Sequence, residues 1–331
     1  MRPVKQSALF RLALLALIWG SSFLWIKLAD RGFAPVEVTF ARLSLGAAAL
    51  FPVVAARREA LPRSAALWAQ IALAALFANA IPYLLFAVAE RSVDSSTAGI
   101  INATTPLWTV TLAVAVRHQK SVTARQFAGL AVGFAGTLLI FSPWHSAYSV
   151  ASVGGLECLA ASISYAISYV YMDRFLARRG MSPITLSACQ LLVAAALLAV
   201  ALPLSGAGAP QVSAVSLVSL VILGVFGTGV AYVLNYQIIT SEGATVAATV
   251  TYLLPVVAIV LGVVVLGETV TISVLAGIAL VLAGVALTRR RAWQRGAMRM
   301  DRQARRSDSR TSPGRAGYGL AELVTECDGS G

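Results

Sequence analysis

The chain has 331 residues, of which 58% are hydrophobic and only 12% charged; soluble domains carry about 25% charged residues, so a soluble globular fold is excluded. The formal net charge of +12 does not point to nucleic acid, because Lys and Arg fall between apolar runs and in one C-terminal cluster, without interleaved aromatic side chains. Cys158, Cys189, Cys327, His118 and His145 stand at no metal or disulfide spacing, so neither a metal nor a cofactor is expected.

A membrane-crossing helix needs about 20 mostly apolar residues. Such runs fall near 9–29, 35–56, 64–89, 96–116, 123–141, 153–172, 183–203, 213–238, 244–266 and 270–288. They predict an all-α integral membrane protein with ten transmembrane helices. The runs are continuously apolar rather than alternating, which excludes a β-barrel.

The first run opens on a basic stretch, as a signal peptide does, but its apolar core is too long and no A-x-A-like site follows it cleanly. It reads as a retained helix, with Trp19 and Ser22 on one face. The second carries Arg42 in "VTFARLSLG", about seven residues in and too deep for easy snorkelling. Glu37 lies about 140° away on the helical wheel, a poor partner. Arg42 is therefore either a contact for an anionic group or half of an ion pair with another helix. The third run aligns Asn79, Tyr83, Phe86 and Glu90 on one face. The fourth, "NATTPLW", holds Asn102, Thr105 and a mid-helix Pro106, which frees the Asn102 carbonyl.

Trp144 and Tyr148, in the fifth connection, read as interface anchors. In the sixth run Glu157 lines up with Ser164 and Ser168, beside Tyr165. It is a coupling candidate, an Arg42 partner, or a simple interfacial acid. The eighth repeats a polar-aromatic stripe as Thr228, Tyr232 and Asn235. The ninth, "TYLLPVV", places Thr251, Tyr252 and Pro255 as the fourth places Asn102 and Pro106. Gly129, Gly133, Gly136, Gly277 and Gly284 in the fifth and tenth runs suit close helix packing. After Arg289 the tail bears Arg291, Arg295, Arg299, Arg302 and Arg306 on one face, which suits a helix on anionic lipid of the inner leaflet or a disordered basic tail. Beyond about Ser307 it reads as disorder.

With the N-terminus inside, 22 of the 26 Lys and Arg residues fall on the cytoplasmic side, three (Lys27, Arg31, Arg91) fall outside, and Arg42 is left within the membrane. The positive-inside rule then sets both termini in the cytoplasm.

The ten helices form two similar fives. "GFAPVEVTFARLSLGAAAL" aligns with "GMSPITLSACQLLVAAALL" at an offset of 148, "NAIPYLLFAVAERSVDSSTAGIINATTPLWTV" with "TGVAYVLNYQIITSEGATVAATVTYLLPVVAI" at 149, and "GLAVGFAG" with "GIALVLAG" at 148. Arg42 thereby matches Gln190. The expected organisation is a first repeat at 9–141, a second at 153–288 and a basic cytoplasmic tail at 289–331. An odd number of helices per copy inverts the second copy, an architecture found in many secondary transporters.

The W-G-S-S-F opening, "TVAATVTYLLPVVAIVLGVVVLGETVT" and "AGIALVLAGVAL" resemble the drug/metabolite transporter superfamily, in its ten-helix branch with two EamA-type repeats. The resemblance covers about residues 10–288. It implies a bacterial inner (plasma) membrane carrier, usually an exporter of amino acids, other metabolites or drugs, proton-coupled or exchanging. Gly267-Glu268 aligns with Gln119-Lys120, so the first copy lacks that acid. The expected partners are a small-molecule substrate and membrane lipids, not nucleic acid, with homo-oligomer formation left open.

The residues expected to bind substrate are Trp19, Ser22, Arg42, Asn79, Tyr83, Asn102, Thr105, Tyr165, Ser168, Tyr232, Asn235 and Tyr252. Glu157 is the coupling candidate and Pro106 and Pro255 the kinks. An importer or exchanger of the same fold is the alternative. An intramembrane enzyme is disfavoured, since no span holds a His and no two acids sit at a suitable depth. A channel is disfavoured by the lack of a filter sequence or charged ring.

Overall fold

The computed structural model describes residues 4–89, 92–93, 95–119, 122–141, 152–177, 179–205, 210–266 and 271–288. Glu90, Trp144, Tyr148, Gly267-Glu268 and the tail from Arg289 lie outside the described residues. Among the described residues every regular element is helical, and nine helices are long and apolar enough to cross a membrane. A tenth apolar helix, Ile272–Thr288, is shorter.

In chain order the helices are α1 (Val4–Ala29), α2 (Pro35–Ala56), α3 (Ala65–Ala75), α4 (Ile81–Ala89), α5 (Ser95–Asn102), α6 (Thr105–Ala115), α7 (Ala124–Phe141), α8 (Val153–Tyr171), α9 (Pro183–Ala201), α10 (Ala214–Gly224), α11 (Ala231–Glu242), α12 (Ala244–Ala248) and α13 (Val250–Leu266). We label Ile272–Thr288 α14. The starts are set by short polar residues at the edges of the apolar runs. Ser64, Ser152, Ser182 and Ser213 each accept a backbone N–H from the first turn of α3, α8, α9 and α10. In α2 Pro35 stands in the first turn, and Glu37 reaches back to the Ala34 N–H at 2.8 Å. Glu37 is thus committed to its own helix end.

Three stretches widen into π-helix: Leu76–Ala80 between α3 and α4, Met172–Leu176 after α8, and Val225–Val230 between α10 and α11. The first and third stand 149 residues apart at their starts, the offset that relates the two sequence copies. Such bulges free backbone groups and re-aim side chains, and they concentrate at functional sites.

Of the two prolines expected mid-helix, Pro106 departs from that placement and Pro255 keeps it. Pro106 sits in the first turn of α6, after a break at residues 103–104 that ends α5. There its missing N–H costs nothing, because the first-turn donors have no intrahelical partner. Pro255 does lie inside α13, but the break in that span falls earlier, at Thr249.

The two halves interleave. α2 packs along α9; α4 and α6 pack on α8, and in the counterpart contacts α11 and α13 pack on α1. α7 and α14 meet along glycines: a Cβ on Gly136 would lie 2.7 Å from the Gly277 carbonyl oxygen, and one on Gly284 2.4 Å from the Gly133 nitrogen. Gly46 of α2 approaches the bulged Gly229 in the same way. Close backbone contact replaces the hydrophobic drive that lipid cannot supply.

Candidate functional site

Seven of the spans enclose a cavity of about 430 Å³. α1 supplies Trp19 and Ser22, α2 supplies Arg42, and α4 and α5 supply Tyr83 and Asn102. α8 contributes Tyr165 and Ser168, and α11 contributes Tyr232 and Asn235. These nine belong to the twelve residues expected to bind substrate. The other three lie behind the wall. Asn79 is buried in the first π segment, Thr105 donates to Asn102 Oδ1 at 3.4 Å, and Tyr252 donates to the Leu130 carbonyl at 3.2 Å while its ring packs on Gly133.

Much of the wall is aromatic. Tyr165 stacks on Phe86 with ring centroids 6.1 Å apart, and Tyr83 meets Tyr165 edge-on at 6.5 Å. Trp19 meets Tyr232 edge-on at 6.2 Å. Such edge-on and offset pairs hold rings in fixed poses, so the cavity presents flat faces rather than mobile chains.

Arg42 is 8% exposed. Its Nε–H donates to Thr228 Oγ1 at 2.9 Å, a long 3.5 Å contact runs from Nη2 to the Gly227 carbonyl, and the guanidinium lies 5.0 Å from the Tyr83 ring centre. Both acceptors belong to the π segment Val225–Val230. Among the described residues no carboxylate pairs with it. Glu157, offered by the sequence as a partner, is half-buried and off the cavity wall. A guanidinium has five N–H donors, so Arg42 keeps several for another acceptor.

The matched residue Gln190 makes the mirror contact. Its Nε2 donates to Asn79 Oδ1 at 3.0 Å, and Tyr236 donates to its Oε1. Asn79 Nδ2 donates in turn to the Tyr232 hydroxyl at 2.6 Å, which donates to the Ala78 carbonyl at 3.0 Å. In each half, the second helix hydrogen-bonds a π segment of the other half.

One charged lining residue escaped the sequence reading. Asp30 lines the cavity mouth, continuing the Trp19–Ser22–Ile26 stripe by one more step of four. It keeps an exposed face, yet partial desolvation pushes its carboxyl up to about 6. No side-chain partner compensates it among the described residues. Asn235, 4% exposed, also holds its Oδ1 without a hydrogen-bond partner. Among the described residues no group of His, Cys, Asp and Glu is placed to hold a metal ion.

Away from the cavity, His118 Nε2 meets Asp173 Oδ2 at 2.9 Å, and the same oxygen accepts the Ala244 N–H at 3.3 Å. This ties the chain after α6, the end of the α8 span and the start of α12.

The chain has relatives among known proteins. A transporter of Archaeoglobus fulgidus, named as uncharacterized, is 25% identical over 83% of this chain and 95% of its own length. The uncharacterized inner membrane transporter YedA of Escherichia coli K12 is 27% identical over 77% of this chain and 81% of its own. The S-adenosylmethionine/S-adenosylhomocysteine transporter of Chlamydia trachomatis serovar D is 31% identical, over 42% of each chain. A solved crystal structure shares the fold, with a TM-score of 0.72 at 21% identity over 87% of this chain and 99% of that one. The profile of the EamA-like transporter family matches twice, at residues 6–142 and 153–290. The chain is a multi-pass membrane protein and belongs to the EamA-like transporter family.

Proposed function

We propose that this transporter is a secondary-active exporter of small amphipathic metabolites that bear an anionic group, amino acids or related compounds and drugs among them. The observation that carries the reading is Arg42, a permanent cation buried in a cavity wall with no carboxylate partner among the described residues. A buried charge without a counter-ion is strongly unfavourable. An anionic ligand supplies the missing charge and takes up the free N–H donors. The aromatic faces beside it receive the ligand's apolar body.

Alternating access is the mechanism that suits these residues. Two five-helix halves of inverted orientation, at 9–141 and 153–288, rock about the cavity, and the reciprocal Arg42–Thr228 and Gln190–Asn79 bonds lie where they slide. Proton coupling has a candidate group in Asp30 at the cavity mouth; Glu157, off the wall, is the weaker one. Export rather than import, and the bacterial inner membrane with both termini cytoplasmic, rest on the family resemblance and on the loop charges. The names of the relatives fit a carrier without catalysis.

The test is flux in proteoliposomes under an imposed pH gradient, against a panel of amino acids, other amphipathic acids and the two compounds that name the Chlamydia trachomatis relative. Gradient-driven flux of an anionic member is expected. Flux independent of the gradient contradicts the coupling, and no flux across the panel contradicts the substrate class.

A further inference from the structure

The cavity lies between two packed groups of helices. On one side α4 and α6 pack on α8, and Tyr83, Tyr165 and Met172 face the cavity; on the other α11 and α13 pack on α1, with Trp19 and Tyr232 facing it. The two ends of this cavity differ. Asp30, at the mouth, is exposed, whereas Met172, at the other end, is buried. Beyond Met172 the groups close on each other: Leu176, Ile239 and Ala247 are buried with it in one apolar cluster. Asp173, the residue after Met172, bonds across this seal. Its Oδ2 accepts the N–H of Ala244, where α12 leads from α11 into α13, at 3.3 Å, and Thr240 Oγ1 reaches the Ala177 carbonyl at 3.5 Å. His118, past the end of α6, holds the same carboxylate oxygen at 2.9 Å. Gly243, at φ 90°, takes a backbone conformation that glycine adopts without strain and so makes the tight turn before Ala244.

The mouth cannot repeat these bonds, because the copy offset of 148 carries Asp173 onto Trp25 and His118 onto Leu266, which offer no carboxylate and no imidazole. A carrier built from two similar copies alternates between two related states, and a buried carboxylate bond present at one end alone tips the balance between them. We propose that Asp173, positioned by His118, latches the cavity shut at the Met172 end, and that release of its bond to Ala244 opens this end while the Asp30 end closes. The proposal rests on the alternating-access part of the reading above and names the residues that set the balance of its two states. Asp173 is not part of the cavity wall, so the latch acts without touching the ligand.

The test is spin-label distance measurement by double electron–electron resonance on the purified full chain in detergent, with Cys327→Ser and the buried Cys158 and Cys189 left in place. One label pair, Ala115→Cys with Ser241→Cys, spans the latch end between α6 and α11; the other, Ser92→Cys with Arg31→Cys, spans the mouth between the ends of α4 and α1. All four positions are exposed. Wild type should give one dominant distance at each pair. In Asp173→Ala a longer latch distance and a shorter mouth distance should rise together, by about tenfold in population ratio, as loss of a hydrogen bond to a charged group implies. His118→Ala, which keeps the carboxylate, should shift both in the same direction by less, and it carries the test should Asp173→Ala fail to fold. Unchanged distances in a folded variant overturn the proposal, and so does a wider latch end with an unmoved mouth, which is local loosening. Flux across the metabolite panel with unmoved distances leaves the transport reading standing without the latch; coupled distance changes without flux leave the latch standing without the substrate class.

Discussion

Arg42 of the first half donates to Thr228 of the second, 186 residues away, inside a π-helical bulge. Gln190, which stands where Arg42 stands in the other copy, donates to Asn79 inside the matching bulge. The two bonds differ in one respect that sets their roles. Gln190, Asn79, Tyr232 and Tyr236 satisfy one another in a buried network, whereas Arg42 brings a charge that nothing described balances.

The two sides should therefore respond differently to substitution. Gln190→Leu strands Asn79 Oδ1 and the Tyr236 hydroxyl, both buried, and should cost about 2–3 kcal/mol of stability. Arg42→Gln removes a buried charge that lacks a counter-ion and should leave stability unchanged or raise it. Thermal unfolding in detergent measures both.

The α7–α14 seam should be equally intolerant of volume. Gly284→Ala places a methyl 2.4 Å from the Gly133 nitrogen and 2.6 Å from the Gly129 carbonyl, both backbone atoms that cannot yield cheaply. A loss of about 1–3 kcal/mol is expected. Ala283→Leu, one residue away on an exposed face, should be near silent.

Asp173, 4% exposed, holds His118 and the Ala244 N–H with one oxygen. Asp173→Ala leaves both without that acceptor and should cost about 2–3 kcal/mol. His118→Ala, which leaves the Ala244 contact intact, should cost less. Matched unfolding curves of the two variants decide the order.

Asp30 carries a pH signature with a defined sign. Its folded pKa, about 6, stands above the ordinary 3.8, so the folded state holds a proton that the unfolded state releases between those values. The contribution to stability is full below pH 3.8 and lost as pH rises through 6. Asp30→Asn cannot lose a proton. It should melt higher than wild type at pH 7.5 and level with it near pH 4, in melting curves taken across that range.

The spans, the copy offset and the stranded Arg42 were legible because they follow from hydropathy, self-similarity and charge, which the chain displays directly. The π bulges were not, since residues such as Leu76–Ala80 have no periodicity that separates them from the α-helix around them. The partner of Arg42 was missed for a related reason. Thr228 is an ordinary hydroxyl in sequence, and only the bulge turns it toward α2. The break near Pro106 was misplaced because a proline fits either a kinked helix interior or the first turn of a new helix. Asp30 was not singled out, although steps of three, four and four from Trp19 lead to it.

The most direct test of a buried anion site at Arg42 is flux of an anionic amphipathic substrate through proteoliposomes containing wild type, Arg42→Lys or Arg42→Gln, each verified as folded by its melting curve. The account predicts at least about a tenfold loss in Arg42→Gln with unchanged folding, and partial retention in Arg42→Lys. Wild-type flux in a folded Arg42→Gln protein would contradict it.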